Sequence, residues 1–139
     1  MKTSISRFIL GVLGYTIPTM ILGMVWHFVF FKELYDSLGI YNLKNPIIPL
    51  GMTSMLIQGI IIAYIYPFYY GEKSTIIMGI KFSLIMGVFL FSVSTLANAA
   101  KIEVTSMSVW LFIQLAFHSI QFITTGGIIG WIYITKAKK

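Results

Sequence analysis

A chain of 139 residues fits within one domain, but a composition of 58% apolar and only 10% charged residues excludes an ordinary soluble one, in which roughly a quarter of residues are charged. The absence of cysteine excludes thiol redox chemistry, disulfides and thiolate metal sites. The net charge of +6 comes from bases placed mostly singly at segment ends, with no basic face to follow phosphates, so the expected partner is a lipid bilayer and not nucleic acid.

The opening Met1-Lys2-Thr3-Ser4-Ile5-Ser6-Arg7 leads into an apolar run that continues to Phe31. That run is longer than the core of a signal peptide and no A-x-A-like site follows it, so it reads as a first membrane span. About 20 helical residues cross the hydrocarbon, and four stretches qualify: Phe8–Phe31, Pro46–Tyr70, Thr75–Ala100 and Met107–Thr135. None shows strand alternation, and a spanning segment must satisfy its own backbone, so each is read as a helix. The expected fold is all-α: one polytopic domain over 1–139, four transmembrane helices in an antiparallel bundle.

Within the first span Pro18, beside Gly14, predicts a kink. The connection Lys32–Lys44 carries Leu34, Tyr35, Leu38 and Ile40 and predicts a helical extension or interfacial turn stopped near Gly39. Asn45-Pro46 opens the second span, and Pro67 closes it near Gly71. Ser74 is a cap for the third helix, and Thr105 or Ser106 for the fourth. Lys81, less than two turns into the third span, is read as snorkelling to headgroups.

With four spans, both termini and the middle loop share a side. That side holds Lys2, Arg7, Lys73, Lys81, Lys136, Lys138 and Lys139, against Lys32, Lys44 and Lys101 opposite. Seven bases against three place the termini in the cytoplasm. Trp110 and Trp131, near the two ends of the last span, suit the aromatic belts of the bilayer. Lipid tails do not drive helices together, so small residues at four-residue spacing are expected to seat them: Thr19 and Gly23, Gly59 and Ala63, Gly79, Ser83 and Gly87, Gly126 and Gly130. These are read first as contacts within the chain; a face such as Gly126/Gly130 joining two copies is the alternative.

Polar residues inside the spans carry the functional signal. Gln114, His118, Gln121 and Thr125 recur at i, i+4, i+7 and i+11 and share one face of the last helix. At 1.5 Å per residue His118 lies roughly 15 Å deep, near the midplane. Gln58 falls at similar depth; His27, Ser92, Ser94, Thr95 and Asn98 lie between the midplane and the outer surface. All four helices thus bring polar groups to one half of the membrane, and an interior pocket open to the outside follows as the candidate site. Its predicted residues are Gln58, Gln114, His118 and Gln121, with His27 and Trp26 near the mouth. The plainer reading of the same residues is interhelical hydrogen bonding, at about 0.6 kcal/mol each.

Two histidines without a membrane carboxylate fall short of a zinc site. Their depths differ by roughly 9 Å, awkward for two axial ligands of one haem, so no metal or cofactor is expected. Glu33, Asp36, Glu72 and Glu103 all lie in connections or at their edges. Proton-coupled transport and intramembrane aspartyl proteolysis therefore lack their carboxylates. Ser92 or Ser94 with His118 forms a conceivable nucleophile and base, marked by no motif, and the reading leans away from an enzyme.

The stretch Gly23-Met24-Val25-Trp26-His27 through Phe31-Lys32 to Tyr35 and Leu38-Gly39 resembles the opening of DUF1761, a four-helix bacterial membrane family. The last span, with His118 and Gly126-Gly127-Ile128-Ile129-Gly130-Trp131, is similar in character. The resemblance implies a compact multi-pass protein of a bacterial inner membrane, and no activity. The leading expectation is a membrane protein that binds a small amphipathic or hydrophobic molecule in the outer half of its bundle. The alternatives are an accessory subunit docking a larger membrane complex and a small oligomeric transporter or channel.

Overall fold

The computed structural model describes residues 4–40, 43, 45–70 and 73–134. Four of its helical runs are long and apolar enough to cross a membrane: Ile5–Phe30, Ile48–Tyr70, Ile76–Ala99 and Met107–Ile132. The chain is an all-helical, multi-pass integral membrane protein. The spans fall within three residues of the predicted ones at each described boundary; Thr135 lies outside the described residues.

Helix α1 (Ile5–Val25) continues through a π-helical stretch, Trp26–Phe30, and α2 (Lys32–Leu38) follows at once. Helix α3 is the second span, Ile48–Tyr70. The third span is built of α4 (Ile76–Phe91), a second π-helical stretch (Ser92–Leu96) and the short α5 (Ala97–Ala99), and the last is α6 (Met107–Ile132). Ser4 caps α1 by accepting from the Arg7 amide at 3.3 Å. Gly39 stops α2 at φ +72°, a left-handed conformation that costs a side chain and suits glycine.

Two local expectations, at Ser74 and Pro67, are corrected, and the cap of the last span falls on Ser106, one of its two candidates. Thr75, not Ser74, caps the third span, its hydroxyl accepting from the Met78 amide at 3.2 Å. Ser74 turns into the bundle instead, 2.7 Å from the Tyr66 hydroxyl and donating to the Gly130 carbonyl at 3.4 Å. At the last span Ser106 holds the cap position without a side-chain bond, while the Thr105 hydroxyl donates to the Ser37 carbonyl at 2.9 Å and ties that loop to α2. Pro67 does not end α3, which runs through it to Tyr70. Pro18 is likewise carried inside α1.

Side-chain contacts sort the ends of the helices. Tyr133, just past α6, packs on Tyr66 and Tyr70 at the end of α3, and its hydroxyl sits against Gly11 near the start of α1. Those ends, with the start of α4, form the terminal half of the bundle. The opposite half, where α2 and the Ala100–Ser106 loop lie, is the loop half.

Glycines set the closest approaches. A Cβ at Gly79 would run into the Gly126 carbonyl and the backbone of Gly130. One at Gly130 would meet the Ile76 Cα and the Thr75 carbonyl oxygen at 2.7 Å. The α4 and α6 backbones therefore touch directly, as small-residue crossings in membranes allow. Gly59 seats α3 on α1 in the same manner, 2.6 Å from the Thr16 hydroxyl by the same measure. The Gly126/Gly130 face is spent inside the chain.

Two apolar clusters follow. In the terminal half all four spans contribute: Tyr15, Ile62 and Tyr66, Phe82, then Phe122, Ile129 and Tyr133. In the loop half Trp26, Tyr35, Leu38, Trp110, Ile113 and Phe117 pack together, drawn from the first span, α2 and α6. No residue of α3 belongs to this second cluster, and every residue from Ile48 to Ser54 is exposed. Trp110, expected in an aromatic belt, is only 3% exposed because α2 folds over it; Trp131 at the other end is 67% exposed and faces outward as expected.

Candidate functional site

The loop half of α3 stands away from the rest, and the gap is a cavity of about 580 Å³. Polar side chains reach it from every span: His27 from the first, Gln58 and Ser54 from α3, Ser94 from the third, and Gln114, His118 and Gln121 from α6. Aspartate, glutamate, lysine and arginine are missing from its described lining. Its walls are apolar and include Met20, Met24, Met52 and Met55, flexible thioether side chains that adapt to a guest's shape. The volume lies within the range of about 300–1,000 Å³ usual for small-molecule sites.

At the cavity's floor Gln58 and Gln121 are joined by a hydrogen-bonded chain centred on Tyr15, which lies behind them and does not line the cavity itself. The Gln121 amide donates to the Tyr15 hydroxyl at 3.0 Å, and that hydroxyl donates to the Gln58 carbonyl oxygen at 2.7 Å. The Gln58 amide passes on to the Ser54 hydroxyl at 3.1 Å. One phenol thus joins three spans, α1, α3 and α6. The Thr125 hydroxyl, one turn below, donates back to the Gln121 carbonyl of its own helix at 2.8 Å and takes no part in the cavity.

His118 forms the side wall. Its Nδ1 lies 2.8 Å from the Gln114 backbone carbonyl, an acceptor only, so Nδ1 carries a proton. In the neutral ring Nε2 then holds the lone pair, which faces the Ser94 hydroxyl at 3.4 Å. The imidazole is stacked on Phe122 and met edge-on by Phe91 and Phe117. Its ring is therefore fixed by two polar contacts and three aromatic ones.

Both π-helical stretches border this space, and they supply His27, Ser94 and Thr95. An i→i+5 turn inserts an extra residue and re-aims the side chains around it, a feature that recurs at functional sites. The Phe31 amide reaches back to the Trp26 carbonyl at 3.0 Å in that pattern. The same stretch turns Trp26 and His27 to different sides. His27 lines the cavity and rests edge-on against Tyr35 at 4.6 Å between ring centres. Trp26 instead packs on Phe31 and Phe117 in the loop-half cluster.

Of the six predicted site residues, Gln58, Gln114, His118, Gln121 and His27 thus share one cavity, and Trp26 stands behind its wall and does not line it. The residue that sequence reasoning passed over is Tyr15, fully buried, whose phenol ties the glutamines together. Its signal was a hydroxyl one turn below Thr19 on an otherwise aliphatic helix.

The cavity continues toward the loop end into a second space of about 950 Å³, which shares His27, Phe28, Pro46, Ile47, Gly51 and Ser54 with it. There Lys32 and Asp36 form an ion pair at 2.6 Å on the exposed face of α2. The carboxylate holds the Lys32 ammonium above its usual pKa, first through the hydrogen bond and then through its charge. Together the two spaces make one trough, with no charged residue among the described lining at the bottom and an ion pair at the rim.

Among the described residues no three of His, Cys, Asp and Glu converge. The Phe117 ring stands against both histidines, 4.8 Å from the His27 ring centre and 5.5 Å from that of His118. Comparison of the chain with family models, curated proteins and solved structures finds no match.

Proposed function

We propose that this membrane protein binds a small hydrophobic or amphipathic molecule in the loop half of its bundle. The observation that carries the reading is the convergence of polar side chains from all four spans on one cavity of about 580 Å³ with methionine-rich walls. Hydrogen bonding alone does not require a gap. Helices that only satisfied one another's glutamines would close over them, since a void forfeits packing on every wall.

The excess of lysine and arginine on the terminal side supports cytoplasmic termini. With that orientation, the trough opens on the outer side of a cell membrane, and the resemblance noted above suggests a bacterial one. The accessory-subunit and transporter readings draw less support. The Gly126/Gly130 face that would seat a second copy is occupied by α4. Below the cavity Tyr15, Tyr66, Tyr133 and Phe122 are fully buried or nearly so and plug the terminal half, so a passage requires those rings to move.

Native mass spectrometry of protein released from mild detergent tests the proposal. A retained small molecule is expected, with occupancy reduced in His118→Ala and unchanged in Lys81→Gln, because Lys81 lies on the exposed face of α4 away from the cavity. Equal occupancy in wild type and His118→Ala removes the assignment.

A further inference from the structure

Resting on that reading, we infer that the occupant is a lipid whose headgroup is uncharged and both donates and accepts hydrogen bonds, a monoacylglycerol-like molecule with its head beside Gln114 and Gln121. Three features of the trough lead there.

The first is the missing counter-charge. A phosphate, carboxylate or ammonium carried to the cavity floor meets no residue of opposite sign among those described as lining it. Moving an ion out of water without a partner costs several kcal/mol. The charged residues described at the rim, Lys32 and Asp36, are already paired with each other. A charged head is held at the rim; a neutral one reaches the floor.

The second is the hydrogen-bonding capacity left over. The Gln121 amide nitrogen donates to Tyr15, and its carbonyl oxygen makes no bond to a described residue, although the residue is only 3% exposed and lines the cavity. Gln114 also lines the cavity, and its side-chain amide makes no bond to any described residue. An N–H donor and a carbonyl acceptor, one helical turn either side of His118, suit a hydroxyl, which gives one hydrogen and takes another. A hydrocarbon alone would leave the Gln121 carbonyl and the Gln114 amide without a hydrogen bond, at a cost of about 1–3 kcal/mol per buried group.

The third is the wall. Met20 and Met24 on α1 and Met52 and Met55 on α3 all line the cavity, and the exposed flank of α3 from Ile48 to Ser54 leaves a way out toward lipid. A chain fixed at its head can leave sideways between these two helices.

The test uses three photoreactive lipids of one chain length, with a diazirine at the same carbon, carrying glycerol, phosphoglycerol or trimethylammonium heads. Each is incorporated with the full-length protein in nanodiscs, and crosslinked peptides are mapped by mass spectrometry. The glycerol-head probe is expected to label Met20, Met24, Met52 and Met55 at least tenfold more than either charged probe, the ratio that ~1.4 kcal/mol gives. Gln114→Leu, which removes a side-chain amide that bonds no described residue, should lower that labelling several-fold, as should Gln121→Leu. Equal labelling by a charged probe overturns the neutral-head assignment and leaves cavity binding standing. Full labelling in both variants overturns the role of the two amides. If no probe labels the four methionines above the lipid-facing Val88 and Phe112, the cavity reading itself fails and this inference with it.

Discussion

The two halves of this bundle solve different problems with the same four helices. In the terminal half, glycines bring backbones into contact and tyrosines fill what remains: Gly79 against Gly126 and Gly130, then Tyr15, Tyr66 and Tyr133 with almost no exposed surface. In the loop half, the first span, α2 and α6 close round Trp26, Trp110 and Phe117 without α3. The difference lies along α3 itself. Its terminal half offers Gly59 and Ala63, both buried against α1, whereas Gly51 in its loop half meets nothing within 4 Å. In lipid, apolarity does not pull helices together, so a segment without close-packing partners stays apart. The gap is the candidate site.

The sharpest test of that contrast is a pair of glycine substitutions. At Gly79 an added side chain collides with the backbone of α6, which cannot rotate aside. Gly79→Leu should cost about 3 kcal/mol or more, the upper end for overpacking, and should appear as loss of the monodisperse species in detergent. Gly51→Ala adds a methyl to open space in a helix, where alanine is favoured by about 1 kcal/mol, so Tm should hold or rise slightly. Equal damage at the two positions would mean that α3 closes onto the bundle and the gap does not exist.

Next in size is the phenol that forms the boundary between the halves. Tyr15→Phe keeps the ring packed on Phe122 and removes both bonds to Gln58 and Gln121. Interhelical hydrogen bonds in membranes average about 0.6 kcal/mol and reach ~1.7, so a loss of about 1–2 kcal/mol is expected in a denaturant titration. A value near zero would show that the two glutamines are held by something other than this hydroxyl.

Much of the architecture was legible because the solvent leaves little choice. Long apolar runs in lipid must be helices, and charges at their ends mark where they stop; the α2 extension and its arrest at Gly39 followed the same logic. The convergence of Gln58, Gln114, His118, Gln121 and His27 was legible from depth and helix face alone. Other features were not. A search that follows amides, imidazoles and small hydroxyls passes over Tyr15, because a phenol among isoleucines reads as apolar bulk. The π-helical stretches at Trp26 and Ser92 change the backbone register without changing composition, so Trp26 could not be told from a cavity residue. Trp110 read as an interfacial anchor because nothing in its own span records that α2 folds back over it. Where α3 stands depends on which small residues find partners, a property of pairs of helices and not of any one segment.

The smallest expected effect concerns the closed side of the loop half. Tyr35 on α2 is fully buried beside Trp26, His27 and Leu38. Burial pushes its phenol up to about 12, against the opposing hydrogen-bond contribution of Trp26, from an ordinary value near 10. A folded-state value above the unfolded one means that burying neutral Tyr35 supports the fold fully below about pH 10, and that this support is lost as pH rises from there through about 12. Alkaline titration of the tyrosine absorbance should therefore leave Tyr35 among the late phenols, and α2 should loosen over the same interval while the terminal half holds. Tyr35→Phe keeps the ring and removes the titrating group, so it should flatten the pH dependence of hydrogen exchange in α2 between about pH 10 and about pH 12. Were the variant to open α2 at the same pH as wild type, the Tyr35 hydroxyl would not be what couples the loop-half cluster to pH, and the closure of that half would rest on Trp26, Trp110 and Phe117 alone.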